Sequence, residues 1–396
     1  MRSQLQVAPG NKVPQSTLVI SASGWAEARA FRDEWEQLNA ASSLGPDHQI
    51  DWLDAMCVVH GGDARVCVQF LRRGGNVVAV APFVLRRHTW QRMPIRVLEH
   101  VNYINQLHGT QVLIGAVPVE EVFRSLFGPD GLGAMRWDIC NWYCVEGEPQ
   151  AVALEDALAG RGYRYAKTPG KAAPYLLLPP SWDELMGTLQ SRFRTTIRSR
   201  ERAMEQAGKV ELRFHNAPEN VDAGLRAIEE IEHDSWKSES GLPVTHPKHW
   251  NFYRTYAKTA ATRGGLMNCV LYVNDEPLAF DYAVQDKGTY YLLQTSFKKS
   301  AASLYPGLVL RKKVIDLLIQ QKFGQIDFGK GDSEWKAKWT KTARQHANYT
   351  IFGSTLRGRA MHLAGSLKGR RAAGALPVVN AGPKDGGDSI PAESGV

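Results

Sequence analysis

The chain has 396 residues, 43% hydrophobic and 22% charged, too many for one ordinary core of about 100–200 residues and too apolar for a disordered polymer. Its 48 Lys and Arg against 40 Asp and Glu leave a net charge of +8, which allows an anionic partner without selecting a nucleotide, a nucleic acid or a membrane surface. Five cysteines without a Cys-x-x-Cys pair argue against a disulfide framework, and no apolar run reaches the roughly 18–20 residues of a membrane span, so a cytoplasmic protein without stable membrane insertion is expected.

Residues 1–16 read as a flexible N-terminus. Leu18-Val19-Ile20 reads as a strand, Ser23 as a cap, and Trp25, Ala28, Phe31, Trp35 and Leu38 follow at helical spacing. Arg65 to Leu71 and Val77 to Val84 alternate around Arg72-Arg73-Gly74-Gly75-Asn76, a hairpin pattern. Strand-like segments follow at Val112 to Ile114 and Arg136 to Trp142, and a helix ends at Gly162. Residues 17–170 are therefore expected to form a first α and β unit.

A second unit is expected over residues 171–356. Tyr175 to Leu178 predicts a short strand, and Ser181 caps one long helix ending near Gly208, with Leu185, Leu189, Phe193 and Ile197 on one stripe and Arg194, Arg198 and Arg202 on the next. Val210 to Phe214 is a strand, and Val221 to Trp236 and Pro247 to Thr262 are helices. Asn268 to Val273, Pro277 to Gln285 and Thr289 to Phe297 form the clearest β pattern, an antiparallel meander with tight turns. A helix over Leu308 to Phe323 and a strand over Gln325 to Phe328 follow. Residues 357–396 read as a tail, basic at its start and then disordered. The hairpins 66–85 and 266–285 superpose at an offset of 200 residues, Val78-Ala79-Val80 on Leu278-Ala279-Phe280, which fits either two related halves or coincidence.

Familiar nucleophile and metal patterns are missing. His246-x-x-His249 has ligand-like spacing but no matching cysteine or carboxylate pair, and there is neither a Gly-x-Ser-x-Gly elbow nor a Walker motif. No metal is expected. The loop Lys298 to Leu308 joins a strand to a helix start, where free N–H groups and the helix dipole suit a pyrophosphate and Gly307 permits close approach. Arg311, Lys312 and Lys313 could meet phosphate oxygens there; the alternative is an ordinary helix start with solvated basic residues.

Several pieces in order carry a family resemblance: Ser235-Trp236-Lys237, Leu278-Ala279-Phe280-Asp281-Tyr282, Tyr305-Pro306-Gly307, and Asp327-Phe328-Gly329-Lys330-Gly331-Asp332 followed by Trp335-Lys336. Together they resemble the bacterial GNAT-type acetyltransferases of the CelD type linked to cellulose biosynthesis, themselves similar to Fem-type peptidyl transferases. The resemblance covers residues 175–355, and residues 17–165 resemble the degenerate first half of such proteins. It implies an α+β fold of tandem GNAT-like domains, with mixed, mostly antiparallel sheets flanked by helices.

The activity it implies is acyl transfer from acetyl-CoA or another acyl-CoA to an amine or hydroxyl of a small or saccharide acceptor. Backbone N–H groups over Tyr290 to Ser296 would hold the thioester carbonyl. On that reading the donor site comprises Leu293, Thr295, Ser303, Pro306, Gly307, Leu308, Arg311 and Lys312. The Gln/Arg-x-x-Gly-x-Gly/Ala signature usual at such a donor site is absent.

Asp281, mid-strand, is the candidate general base, against the alternative of an exposed or ion-paired carboxylate. Tyr291 and Tyr305 are candidate acids. Trp236, Lys237, Asp327, Asp332 and Lys336 are candidate acceptor contacts, with an ion-paired turn as the alternative for the last three. Two other functions compete: Fem-type transfer from charged tRNA, for which the Arg192 to Arg202 helix would track phosphates, and a non-catalytic anion-binding protein.

Overall fold

The computed structural model describes residues 18–369 apart from 61–63, 103–106, 108, 240–242 and 332. The expected flexible N-terminus and the end of the tail lie outside these residues.

The first half runs β1 (Leu18–Ser23), α1 (Trp25–Ala28), α2 (Arg32–Ala41), α3 (Ile50–His60), β2 (Ala64–Arg73), β3 (Asn76–Trp90), β4 (Met93–His100), β5 (Leu113–Ile114), α4 (Val119–Leu126), β6 (Ile139–Val145), α5 (Pro149–Arg161) and β7 (Arg164–Pro169). The second runs β8 (Ala173–Leu177), α6 (Trp182–Thr188), α7 (Ser191–Ala207), β9 (Val210–Phe214), α8 (Val221–His233), α9 (Trp236–Glu239), α10 (Pro247–Thr262), β10 (Cys269–Val273), β11 (Glu276–Asp286) and β12 (Thr289–Phe297). It continues through α11 (Pro306–Gln320), β13 (Gln325–Asp327), α12 (Glu334–Trp339), β14 (Ala343–Arg344), β15 (His346–Phe352) and α13 (Leu356–Gly369).

Two sheets result. One has the order β1-β2-β3-β4-β6-β15-β7, with β5 on β3; the other has the order β14-β8-β13-β12-β11-β10-β9. The expected hairpins form as the turn residues dictate: Asn274 and Asp275 both have positive φ, and Lys287 and Gly288 do likewise.

One strand of the second half crosses to the first sheet. β8 lies between β13 and β14 of the second sheet, while β15, from the chain's other end, lies between β6 and β7 of the first. Strand 346–352, expected in the second unit, thus completes the first sheet. Alternation alone cannot tell one sheet from another as a strand's destination.

Three further expectations change. The long helix from Ser181 is two helices, because Leu189 and Gln190 are extended, and Arg194 donates to the Met186 and Leu189 carbonyls freed at the break. Ser181 does cap the first of them, accepting the Glu184 N–H. Ser23 ends β1, and the following helix is capped by Gly24 without a side-chain bond. Residues 357–369, read as tail, belong to α13 (Leu356–Gly369), with Met361 buried in one cluster with Phe352.

One core lies between the second sheet and α7 and α11. Another crosses the seam between halves, where Trp52 of α3 packs on Phe252 and Tyr256 of α10 at 4.9 and 4.7 Å. All five cysteines are free thiols. Among the described residues, no helix is long and apolar enough to cross a membrane and no cluster of metal-ligating side chains occurs.

Candidate active site

The site is built where β12 loses its neighbour. β12 pairs with β13 in parallel only over Thr289, Tyr290 and Tyr291, yet runs on to Phe297. On its other edge it stays paired with β11, and a register shift there makes Leu293 an extra residue. A bulge bends and twists a strand, and here it falls where β12 parts from β13.

Alternation fixes which backbone groups face the gap. The Lys298 N–H donates to the Leu278 carbonyl, so Phe280 and Ser296 also form a hydrogen-bonded pair and Asp281 opposite Thr295 a non-hydrogen-bonded one. Thr295 therefore turns its N–H and C=O toward the gap. Its carbonyl accepts Lys237 Nζ at 2.9 Å, and Gln294 Oε1 accepts the same ammonium at 3.3 Å. Lys237 thus lies at the opening.

Beyond β12, Tyr305 has left-handed backbone angles (φ 52°, ψ 49°) and starts α11, with Pro306 buried at its first position. Ser303 is exposed in the preceding turn, and Gly307 and Leu308 are half-buried. The Tyr305 ring lies beneath the Arg200 guanidinium, 3.9 Å away. Asp234 ties this turn to α8, accepting the Ser300 N–H and hydroxyl.

Other expected residues are committed elsewhere. Asp281 is fully buried, and Arg311 donates to both its oxygens while the Tyr290 hydroxyl donates to one. This is the ion-paired alternative: the Asp281 oxygens are taken up by Arg311 and Tyr290, and the Arg311 guanidinium faces Asp281. A buried guanidinium needs such a partner, and Arg311 lies on the stripe of α11 that also buries Leu310, Val314 and Leu318. Lys312 pairs with Glu201 of α7 at 3.0 Å and Asp316 at 3.3 Å.

Tyr291 is the last residue paired with β13 and faces the seam, its hydroxyl beside Gly45 of the first half. Burial pushes that phenol up, away from use as an acid. Asp327 accepts the Gly329 N–H and an Arg344 N–H, and Lys336 donates to the carbonyls of Gly329, Lys330 and Gly331. Those two residues therefore staple the turn after β13. Asp332 and the Trp236 side chain lie outside the described residues.

A carboxylate missed in the sequence stands at the opening. Glu232 on α8 is 1% exposed; its Oε2 accepts the Val244 N–H at 2.9 Å, and its Oε1 is buried without a partner in full hydrogen-bond geometry. Burial pushes its carboxyl up, against the opposing pull of Lys237, Ser296 and the Val244 N–H. The available signal was a charge on an apolar stripe, since Val221, Leu225 and Ile228 precede Glu232 at helical spacing.

Among its described residues the first half shows no such opening. β4 and β6 pair only at Val97–Ile139 and Leu98–Cys140, but the chain returns into that gap. Gly109 bridges Cys144, Thr110 donates its N–H to the Tyr143 carbonyl, and a Cβ at Gly109 (φ 101°) would collide with that carbonyl. A pocket of about 330 Å³ lies at the far end of β11, where it meets α3 and α10. It is away from the strand divergence, and Asp51 on its wall is engaged by Arg32 and Arg263.

Comparison with known proteins agrees with this architecture. The fold is shared with a structure described as the crystal structure of FemX, at TM-score 0.56 and 10% identity, covering 84% of this chain and 97% of that one. L-PGS from Bacillus licheniformis matches at TM-score 0.51 and 12% identity, over 84% and 95% of the two chains. A conserved protein of unknown function from Bacteroides thetaiotaomicron matches at TM-score 0.50 and 13% identity, over 82% and 97%. No curated protein matches the sequence.

The two mixed sheets with their flanking helices are thus a tandem GNAT-like fold. Residues 191–337 match the family model described as acetyltransferase (GNAT) domain, which places the transferase domain in the second half.

Proposed function

We propose that this chain moves an acyl group, acetyl in the simplest case, from an acyl-CoA to an amine or hydroxyl of a small or saccharide acceptor. The observation that carries this reading is the divergence of β12 from β13 after Tyr291, with the Thr295 backbone turned into the gap. A thioester arm laid between the strands completes β12 as a missing neighbour would. Its carbonyl oxygen then meets the Thr295 N–H, a donor fixed before the reaction begins, so the oxyanion formed on attack gains stabilisation without reorganisation.

The pyrophosphate falls at the start of α11, where the Gly307 N–H and the helix dipole supply the attraction. Arg311 and Lys312 are engaged by carboxylates, so the backbone and not the basic side chains does most of the holding. The acceptor approaches from the α8 and α9 side, where Lys237 marks the opening. Isothermal titration with acetyl-CoA and longer acyl-CoAs tests the reading: a saturable heat supports it, and none from any of them in folded protein overturns it.

A second reading, Fem-type transfer from charged tRNA, is favoured by the exposed Arg192, Arg198 and Arg202 on α7 and by the whole-chain fold likeness to FemX. It requires tRNA binding that falls steeply with salt, whereas acyl-CoA binding responds more gently.

A further inference from the structure

Excluding Asp281 leaves the reaction without a base, and the structure holds a different carboxylate at the opening. Glu232 sits on the acceptor side of β12, next to Ser296. Glu232 Oε1 and Ser296 Oγ are both buried and face each other, and neither has a partner in full hydrogen-bond geometry. Buried polar atoms are nearly always satisfied, so two adjacent exceptions beside an unpaired strand edge mark a place prepared for a ligand's polar group.

The surrounding groups leave Glu232 available. Its neighbours on α8 are turned away: Glu229 accepts the Trp250 indole N–H at 2.7 Å, and Glu230 pairs with Lys298 at 2.7 Å. From α9, Lys237 faces it but is held by Thr295 and Gln294. From β12 it meets the Ser296 hydroxyl, and from the segment before α10 only the Val244 N–H, which fixes Oε2 and leaves Oε1 on the Ser296 side.

We propose that Glu232 is the general base, receiving the proton of the attacking nucleophile on Oε1, directly or through one water held by Ser296. This rests on the acyl-transfer reading. The acceptor's nitrogen or oxygen lone pair forms a bond to the thioester carbon, the C–S bond breaks with its electron pair passing to sulfur, and the nucleophile's proton passes to Glu232. The thiolate takes a proton from solvent, and Glu232 returns its own to solvent before the next cycle. A carboxyl pushed up by burial is matched to this task, because a base works best with a pKa near the working pH.

The test measures thiol release from acyl-CoA with a panel of primary amines and saccharides, across about pH 5 to 9, for the full chain and its variants. Glu232→Gln is expected to bind acyl-CoA as the wild type does, to lose about 10²–10⁴-fold in kcat with little change in the donor KM, and to lose the acidic limb of the pH profile. Glu232→Asp, which keeps a carboxylate, should retain that limb at reduced kcat, and it supplies the answer where the Gln variant does not fold. Wild-type release that Glu232→Gln sustains with the same acidic limb overturns the role of Glu232 alone, as does a Glu232→Asp variant without the limb. No release by the wild type from any donor overturns the acyl-transfer reading itself.

Discussion

Arg311 Nη1 and Nη2 lie 2.5 and 2.7 Å from the two carboxylate oxygens of Asp281, and neither side chain reaches solvent. The pair locks α11 to the middle of β11. Since α11 begins the proposed pyrophosphate site and β11 backs the bulged strand, one ion pair sets the spacing of the donor site's two walls.

Asp281→Asn should therefore destabilise the fold by about 3–5 kcal/mol, the cost of leaving a buried guanidinium without its counter-charge. Replacing both residues with apolar ones of similar volume should cost much less. Urea denaturation of the two variants checks this. An Asp281→Asn variant of wild-type stability that loses only turnover would restore Asp281 as a base.

Thr295 contributes a backbone donor and not its hydroxyl, which is already bonded to the Phe280 carbonyl at 3.0 Å. Thr295→Ala should stay within about tenfold of wild-type kcat. Thr295→Pro removes the N–H on an edge without a ladder partner, and should lower kcat by about 10²–10³ while circular dichroism stays that of the wild type. Equal activity in the two variants would place the oxyanion elsewhere.

Lys237 draws the Glu232 carboxyl down. Without that positive charge the carboxyl rises further, so the acidic limb of the rate profile in Lys237→Met should move to higher pH. A limb unmoved, or moved to lower pH, would show that another group titrates.

Stability carries the same sign. Burial holds the folded-state value of Glu232 above its unfolded one, so its contribution is fully present below the unfolded value and is lost as pH rises through the folded value. Melting temperatures of Glu232→Gln measured across that window should fall less with pH than those of the wild type. Parallel curves would contradict the burial-driven shift.

The placement of β15 between β6 and β7 makes the first sheet depend on the second half of the chain. Residues 18–170 produced alone lack the strand between β6 and β7 and should not unfold cooperatively, whereas the full chain should melt in one transition. A cooperative transition in the isolated first half would contradict this dependence on β15.

The meander was legible because its turns are local: Asn274-Asp275 and Lys287-Gly288 tolerate left-handed angles and the flanking residues alternate. The helix start after β12 was legible for the same reason, through Pro306 and Gly307. The break at Leu189 and Gln190 was not, because neither of the two extended residues is Gly or Pro and the apolar spacing runs on past Gly187, while Arg194 bonds the carbonyls freed there. Arg311 and Lys312 read as phosphate ligands because a basic run shows charge but not the direction in which each side chain leaves the helix. Glu232 lay within an apolar stripe, where its charge was the informative feature.

The central claim is that the gap between β12 and β13 receives an acyl-CoA. Isothermal titration of acetyl-CoA and longer acyl-CoAs into the full chain and its Gly307→Trp variant tests it most directly. The account predicts saturable binding to the wild type, weakened at least tenfold where the indole fills the approach to the start of α11. No heat from any acyl-CoA, or binding indifferent to Gly307→Trp, would contradict it.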